Sequence, residues 1–552
     1  MPTITIDGKE IEVAPGTRLI DAAEEAGIHI PRFCYHPGLS VAGNCRMCEV
    51  EIEGPPKLEP ACNTVCRDGM VVHTDNERVR KTRASILELL LIHHPIDCPV
   101  CDQAGECKLQ DYYMRHGAYK SRFDLEDKLA KPKMVDLGRE IMLDNERCVN
   151  CTACVRFSAE ISGEAELGMF QRGDNSRIGT VGARPLTSRY AGNLVEVCPV
   201  GALTNIDFRF RRRVWFLTST DSVCDGCARG CSIRVDHDVS HAYKKSSDRV
   251  FRYRARYNPR VNDYWICDAG RYSYKRIDAR DRIAHPQLRD GTTLDWSAAL
   301  DRIMAALGAA ARVDVILSTD RTCEEMHAAL SVLGPLARTI EGRVSGAGMG
   351  ESDDYLRLED HTPNRRGALE LGLPAEANAN ESEIEGILDR AARGETDLLL
   401  VLGVDLTSGD LDNEVVQRAM AGATLSVYSG SRPGGTGRLA DLLLPRAMFA
   451  EQSGTFVNAD GLIQRIRTCV EPLGEARPEW SWLDDLALRL RAEPGPPDDS
   501  GRFARIADRF PFFSGLGLET ISPLGTPGRG IEMPETPVAP GLRQPSKEEA
   551  LR

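Results

Sequence analysis

The chain has 552 residues, long enough that it must divide into several domains, each with its own core. Its 18 cysteines exceed what an ordinary cytosolic protein keeps, yet the length excludes a small secreted scaffold stapled by disulfides. A formal charge of −13 disfavours nucleic acid as a partner, and no apolar run reaches the roughly 20 residues that cross a bilayer. The N-terminal stretch MPTITIDGKEIEVAPG carries no secretory or transit signature, so the thiols are expected in a reducing compartment.

Residues 3–13, TITIDGKEIEV, alternate around Asp-Gly and predict a β-hairpin. TRLIDAAEEAG (17–27) predicts a helix with Thr17 as N-cap and Gly27 as stop. A loop of small residues then leads to another alternating strand, so residues 1–78 are expected to form a β-grasp domain. VRKTRASILELLLIHH is helical by period and ends at Pro95, which pushes His94 toward an extended conformation and makes it the opening of a cysteine loop in the domain 79–119. Residues 120–140 are charged and Lys-rich, a connector. Cysteine-bearing domains are expected at 139–217 and 218–274, and the basic run RFRRRVW (209–215) reads as a local anchor or a salt-bridged strand. From 275 to 492 the texture turns to α/β, with VDVILSTD and TDLLLVLGVD as buried parallel strands. Residues 493–552, containing EPGPPDDSG and PETPVAPG, read as an irregular Pro/Gly-rich tail.

Sixteen of the 18 cysteines precede residue 268, and fifteen of these fall in four groups. Cys34, Cys45, Cys48 and Cys62 are spaced C-x10-C-x2-C-x13-C; the close pair fits a plant-type [2Fe-2S] site, while a zinc ribbon would want two close pairs. The β-grasp context favours the cluster and leaves Cys66 spare. Cys148, Cys151 and Cys154 with Cys198-Pro199 match the [4Fe-4S] half-motif, in which three closely spaced thiolates take three corners and a remote one the fourth. Ser158 stands where two-cluster ferredoxins carry the cysteine for their other cluster, so no second cluster is expected there. Cys224, Cys227, Cys231 and Cys267 offer four more thiolates, for zinc or for a further [4Fe-4S].

The remaining group, Cys98, Cys101 and Cys107, has three thiols, and His94 can supply the fourth ligand of a cube; a zinc site of three thiolates and one imidazole is the rival. A neutral imidazole in place of a thiolate makes a cluster less negative and raises its potential. His93 lies on the helix end, and nothing requires it as a second nitrogen ligand.

The motifs, in the order FCYHPGLSVAGNCRMC, HHPIDCPVCDQAGECKLQDY, RCVNCTACVRF with EVCPVGALT, and CDGCARGC with WICDAGR, resemble the large iron-sulfur subunit (the G subunit of bacteria, the 75 kDa subunit of mitochondria) of NADH-quinone oxidoreductase, respiratory complex I. ADLLLPRAMFAEQSGTFVNADGLIQ (440–464) resembles that family's C-terminal region, itself related to molybdopterin oxidoreductases. The resemblance implies a multidomain α/β and α+β chain: a β-grasp [2Fe-2S] domain, small [4Fe-4S] domains and a molybdopterin-oxidoreductase-like α/β domain. It implies one [2Fe-2S] and three [4Fe-4S] clusters on the four groups, with His94 as the nitrogen ligand. It implies an electron relay from a flavin/NADH-binding subunit to other peripheral-arm iron-sulfur subunits and on toward quinone, with the cluster on the Cys224 group off the main path. No catalytic site, FMN, NAD or molybdopterin is expected in the chain itself. Its expected place is the cytoplasmic side of the bacterial inner membrane, reached only through partners.

[FeFe] hydrogenases share the N-terminal modules but need more cysteines than Cys323 and Cys469, the two that follow Cys267. The alternative is a molybdopterin-dependent, formate dehydrogenase-like enzyme with the clusters as its wire. Cys323, just after a strand, and Cys469, which is expected on a polar strand, read instead as packing or surface thiols. GVDLTSGD and GSRPGGTG are weak Gly-rich loops that read as turns, and no dinucleotide fingerprint opens a helix after a strand.

Overall fold

A computed structural model describes residues 1–238, 248–308, 311–343, 351–375, 381–408 and 411–532. The chain forms two compact units, one taking Met1–Leu217 and the other Thr218–Pro540.

The first unit opens on β1 (Thr3–Ile6) and β2 (Lys9–Glu12), joined through Asp7 and Gly8, both at positive φ (48° and 83°). That turn matches the twist of a two-residue hairpin and is why Asp-Gly marks it. α1 (Leu19–Glu25) buries Leu19, Ile20, Ala22 and Ala23 in the core beneath this sheet. β3 (Glu49–Ile52), β4 (Glu59–Pro60) and β5 (Val71–His73) complete the order β2-β1-β5-β3-β4, with β5 parallel to β1. Thr17 is not the N-cap of α1: Arg18 is, in extended conformation and without a side-chain cap. Backbone pairing explains the correction, because the Thr17 carbonyl accepts from the Cys66 N–H at 2.9 Å and Arg18 bridges Val65, so the approach to the helix is held as a strand.

α2 (Glu77–Leu91) starts at Asn76, whose side chain accepts from the Val79 N–H, and stops short of His93 and Pro95. α3 (Lys108–His116) follows the second cysteine loop. β6 (Val135–Asp136) and β7 (Ile141–Leu143) lead into α4 (Ala153–Glu160), the hairpin β8 (Leu167–Phe170) and β9 (Arg177–Thr180), and α5 (Asn193–Val197). β10 (Leu203–Asn205) then pairs with β7 in a small sheet of order β10-β7-β6. The basic run is an anchor and not a strand: Arg213 donates to the Cys101 carbonyl at 2.6 Å and to that of Pro99.

In the second unit β11 (Thr218–Val223), β12 (Ser232–His237) and β13 (Val250–Ala255) form an antiparallel sheet. Beyond it lies a six-stranded sheet made of β14 (Gln287–Leu288), β15 (Val313–Ser318), β16 (Ala337–Arg343), β17 (Leu398–Leu402), β18 (Leu425–Gly430) and β19 (Leu442–Pro445). Its order is β14-β19-β18-β17-β15-β16, parallel except for β14. Every residue of β15 and β17 is buried, the pattern of strands covered by helices on both faces. β20 (Gly454–Val457), β21 (Leu462–Ile466) and β22 (Thr526–Pro527) make a last antiparallel sheet.

The expected irregular tail is corrected over its described part. Asp499–Arg509 is a helix capped by the Asp498 side chain, and Phe503, Ile506 and Phe513 are fully buried in the main core. Pro494, Gly495, Pro496 and Pro497 precede this helix and Gly501 lies in its first turn, while Phe503, Ile506 and Ala507 keep an apolar helical stripe. Residues 533–552, including PETPVAPG, lie outside the described residues.

Candidate metal centres

In the first unit Cys34, Cys45, Cys48 and Cys62 converge. The Cys34 thiol hydrogen-bonds with those of Cys45 and Cys62, and Cys62 also with Cys48. The long gap before Cys45 is a loop; Arg46, at φ 60°, turns the chain between the close pair, and the Ala61 N–H donates to the Cys48 carbonyl at 3.1 Å to seat Cys62. The four sulfurs share protons unequally. Hydrogen bonds from Cys45 and Cys62 pull Cys34 down to about 2 and Cys62 lowers Cys48, while Cys45 and Cys62 are driven up. Four thiolates this close require positive charge among them, which a bound metal would supply. Cys66 stays in the apolar core with its thiol raised by burial.

Cys148, Cys151, Cys154 and Cys198 line one cavity with Leu143, Ile178, Val200 and Leu203. Asn150 and Thr152 alternate with the cysteines in left-handed conformation (φ 51° and 61°), and the Asn150 N–H donates to the Cys148 Sγ at 3.4 Å. Cys154 lies in the first turn of α4, Cys198 ends α5, and pairing of Leu203 with Leu143 closes the cavity floor. Burial pushes Cys148 and Cys151 up to about 12 and Cys154 further, each sulfur also raising its neighbours. A cation must offset that cost before they can be thiolates. Ser158 is buried in α4, its Oγ accepting from the Glu166 N–H at 2.8 Å and its carbonyl from Ala165, so it closes the loop into β8.

Cys98, Cys101 and Cys107 share one loop, the Cys101 N–H donating to the Cys98 carbonyl at 3.1 Å. The His94 imidazole and Cys101 meet the same two charges, Asp97 and Arg147. Burial pushes His94 down to about 4 against the pull of Asp97, and its Nδ1 is buried without a hydrogen-bond partner. A neutral imidazole with an unclaimed nitrogen is the state a metal ligand needs. His93 is claimed instead, its Nδ1 accepting from the Leu129 N–H and its ring edge-on to Phe123.

The second and third groups adjoin. The Lys108 N–H, beside Cys107, donates to the Pro199 carbonyl, beside Cys198, at 3.1 Å. A Cβ added at Gly201 would fall on the Cys101 Sγ. Ser40 and Asn44, in the loop of the first group, reach Glu160 and Asn150 of the third. None of these joints leaves a local pattern, although Gly201 stands in the motif EVCPVGALT.

In the second unit the Cys224 N–H donates to the Cys231 carbonyl at 2.8 Å, closing the turn from β11 to β12, and Cys267 caps the helix Asp268–Arg271. The N–H groups of Gly226 and Gly270 donate to the sulfurs of Cys224 and Cys267. A Cβ at Gly270 would lie 2.9 Å from the Cys224 sulfur, so glycine keeps the floor clear. Burial raises Cys267 to about 11 and Cys224 and Cys231 further, the neighbouring sulfurs adding to each shift. Among the described residues no three His, Cys, Asp or Glu side chains close on the point a single metal ion would occupy.

The six-stranded sheet reverses its strand order between β15 and β17, where open α/β sheets bind ligands. Fully buried Arg321 fills that crevice: it donates to Glu479 at 2.7 and 2.9 Å, and a Cβ at Gly403 would fall on its guanidinium. The two Gly-rich loops meet around Asp405, which accepts from the N–H groups of Gly435 and Thr436 at 3.0 and 3.1 Å. A carboxylate of the chain thus takes the N–H groups that could cradle a phosphate. Cys323, in the helix Cys323–Val332 beside Asn364, and Cys469, beyond β21 and not on a strand, are both buried packing thiols.

Four family models match. They are the 2Fe-2S iron-sulfur cluster binding domain (residues 1–77), the NADH-ubiquinone oxidoreductase-G iron-sulfur binding region (83–122), the NADH-quinone oxidoreductase subunit 3 ferredoxin-like domain (138–204) and the molybdopterin oxidoreductase (361–489). The NADH-quinone oxidoreductase G subunit of Streptomyces coelicolor is 41% identical over 333 residues, 59% of this chain and 38% of that protein. The mitochondrial NADH-ubiquinone oxidoreductase 78 kDa subunit of Candida albicans is 30% identical over 614 residues, 90% of this chain and 83% of that protein. A solved NAD+-reducing [NiFe]-hydrogenase in the H2-reduced state is similar at 30% identity and a TM-score of 0.35, over 39% of this chain and 91% of that one. The match to the Streptomyces and Mycobacterium proteins spans only 38% to 41% of their length. No helix among the described residues is long and apolar enough to cross a membrane.

Proposed function

The chain belongs to the family of the NADH-quinone oxidoreductase G subunit, the 78 kDa subunit of mitochondria, and from that membership we propose that it is the electron relay of such an enzyme. It takes electrons from a flavin/NADH-binding subunit and delivers them toward the quinone-reducing subunits through other peripheral-arm iron-sulfur subunits. One observation carries this reading: three of the four donor groups lie in one unit and adjoin in the order first, third, second.

Cys34, Cys45, Cys48 and Cys62 would hold a [2Fe-2S] cluster. His94 with Cys98, Cys101 and Cys107, Cys148 with Cys151, Cys154 and Cys198, and Cys224 with Cys227, Cys231 and Cys267 would each hold a [4Fe-4S] cluster. Bound there, the clusters supply reversible one-electron oxidation and reduction. The chain's own residues set the conditions: burial excludes water, the N–H groups of Asn150, Gly226 and Gly270 stabilise sulfur charge, and neutral His94 spares its group one negative charge. The Cys224 group sits in the second unit and, in this reading, off the main path. The chain itself takes no FMN, NAD or molybdopterin, in keeping with the occupation of the sheet crevice by Arg321 and of the Gly-rich loops by Asp405. It sits on the cytoplasmic side of a bacterial inner membrane, held there by partners.

Metal analysis of the anaerobically purified chain tests this. The expected result is about 14 irons without stoichiometric zinc or molybdenum. Molybdenum at one per chain would make the C-terminal domain an active enzyme, and zinc replacing four irons would make one group structural.

A further inference from the structure

Arg156 lies two residues beyond Cys154 on α4. Its Nη2 donates to the Cys34 carbonyl at 2.6 Å and reaches the Cys151 carbonyl at 3.5 Å, and its Nη1 donates to the Ser40 carbonyl. One turn on, Glu160 accepts from the Ser40 N–H at 2.8 Å, and the Asn44 amide donates to the Asn150 carbonyl at 3.3 Å. The loops of the first and third donor groups are thus stitched at three places, and the central stitch is a cation. Carbonyl oxygens, not a carboxylate, take its hydrogen bonds, so no direct ion pair cancels its charge, although the Glu160 carboxylate bonds the same Ser40 one turn away.

We propose that Arg156 is a positioning residue shared by the first and third donor groups: it fixes the two ligand loops against each other and lends one positive charge to both sites, raising the reduction potential of each. The proposal rests on reading both groups as iron-sulfur ligands. A reduced cluster carries one more negative charge than an oxidised one, so a nearby guanidinium stabilises the reduced form, and one wedged between two sites does so twice. The planar fork also explains why arginine serves: a single side chain bonds carbonyls of both loops.

The test is a potentiometric EPR titration of the full anaerobic chain, wild type beside R156Q and R156K. R156Q is expected to keep its iron but to make the clusters of the first and third groups harder to reduce, about tenfold in the reduction equilibrium, or 59 mV for a one-electron couple. The clusters on the His94 and Cys224 groups stay unmoved, and R156K restores most of the shift because it keeps the charge. Unmoved potentials in R156Q, a shift at only one site, or equal shifts in R156K and R156Q would each overturn the proposal. If R156Q loses iron, R156K decides: both signals at wild-type potentials support it, and loss there too overturns it. Absence of a [2Fe-2S] or [4Fe-4S] signal in the wild-type chain would instead sink the underlying reading before any variant is compared.

Discussion

The Met1–Leu217 unit and the sheet body of the second unit are held together by different means. After β5 the first unit packs its apolar side chains around the donor groups: Leu143, Ile178, Val200 and Leu203 line the cavity of Cys148, Cys151, Cys154 and Cys198, α3 and α4 run nine and eight residues, and side chains such as Arg147 on Asp97 and Arg213 on Cys101 pin the loops. In the sheet body, β15 and β17 bury every residue, apolar layers cover both faces, and the polar groups inside are paired, Arg321 with Glu479 and Arg446 with Glu325. One region has its core in place from the chain alone. The other surrounds buried thiols that, on the proposed reading, a metal must neutralise, so its folding free energy would include metal binding.

The largest effect should come from removing iron. Residues 79–217 are expected to become protease-sensitive while the sheet body stays protected, with the emission of fully buried Trp482 unchanged. Limited proteolysis read by mass spectrometry checks this, and equal protection of both regions after iron removal would erase the contrast.

A smaller effect sharpens the other half. Glu479→Gln leaves Arg321 at the crevice with Asp320 as its one remaining carboxylate partner, and weakening a buried pair in this way costs up to about 3 kcal/mol. The unfolding midpoint of the sheet body should fall while the EPR signals of the first unit hold; a midpoint equal to wild type would show that the pair is not part of what holds the sheet body.

The smallest effect is one of pH. Burial holds the Glu324 carboxyl up at about 7, against an ordinary 4.5. Between those values the folded chain keeps a proton that the unfolded chain releases, so this group's contribution is complete below pH 4.5 and is lost as pH rises to 7. Glu324→Gln should flatten that part of the sheet body's stability profile. A slope unchanged in the variant would assign the dependence to another group.

Both regions left different traces in the sequence. The convergence of the cysteine groups was legible because cysteine spacing is local, and the strands because Val313–Ser318 and Leu398–Leu402 are short, mostly apolar runs between turn residues. Local signals misled where a distant segment decided: Thr17 looks like a cap until Cys66 claims its carbonyl, and Pro and Gly at 494–497 hide the helix they precede. The adjacency of the groups had no local trace, since Lys108 meets Pro199, and Arg156 meets Cys34, across long stretches of chain. Arg321 could have been suspected only from its place just after a buried strand.

Gly201 makes the joint between two of these sites a matter of inheritance as well as of packing. The Cys101 sulfur occupies the space in which any other residue at 201 would begin its side chain. Drift at that position is therefore closed to every other amino acid for as long as Cys101 keeps its place. The two loops can change course only by paired substitution, so descendants of this chain should keep or lose the pair together.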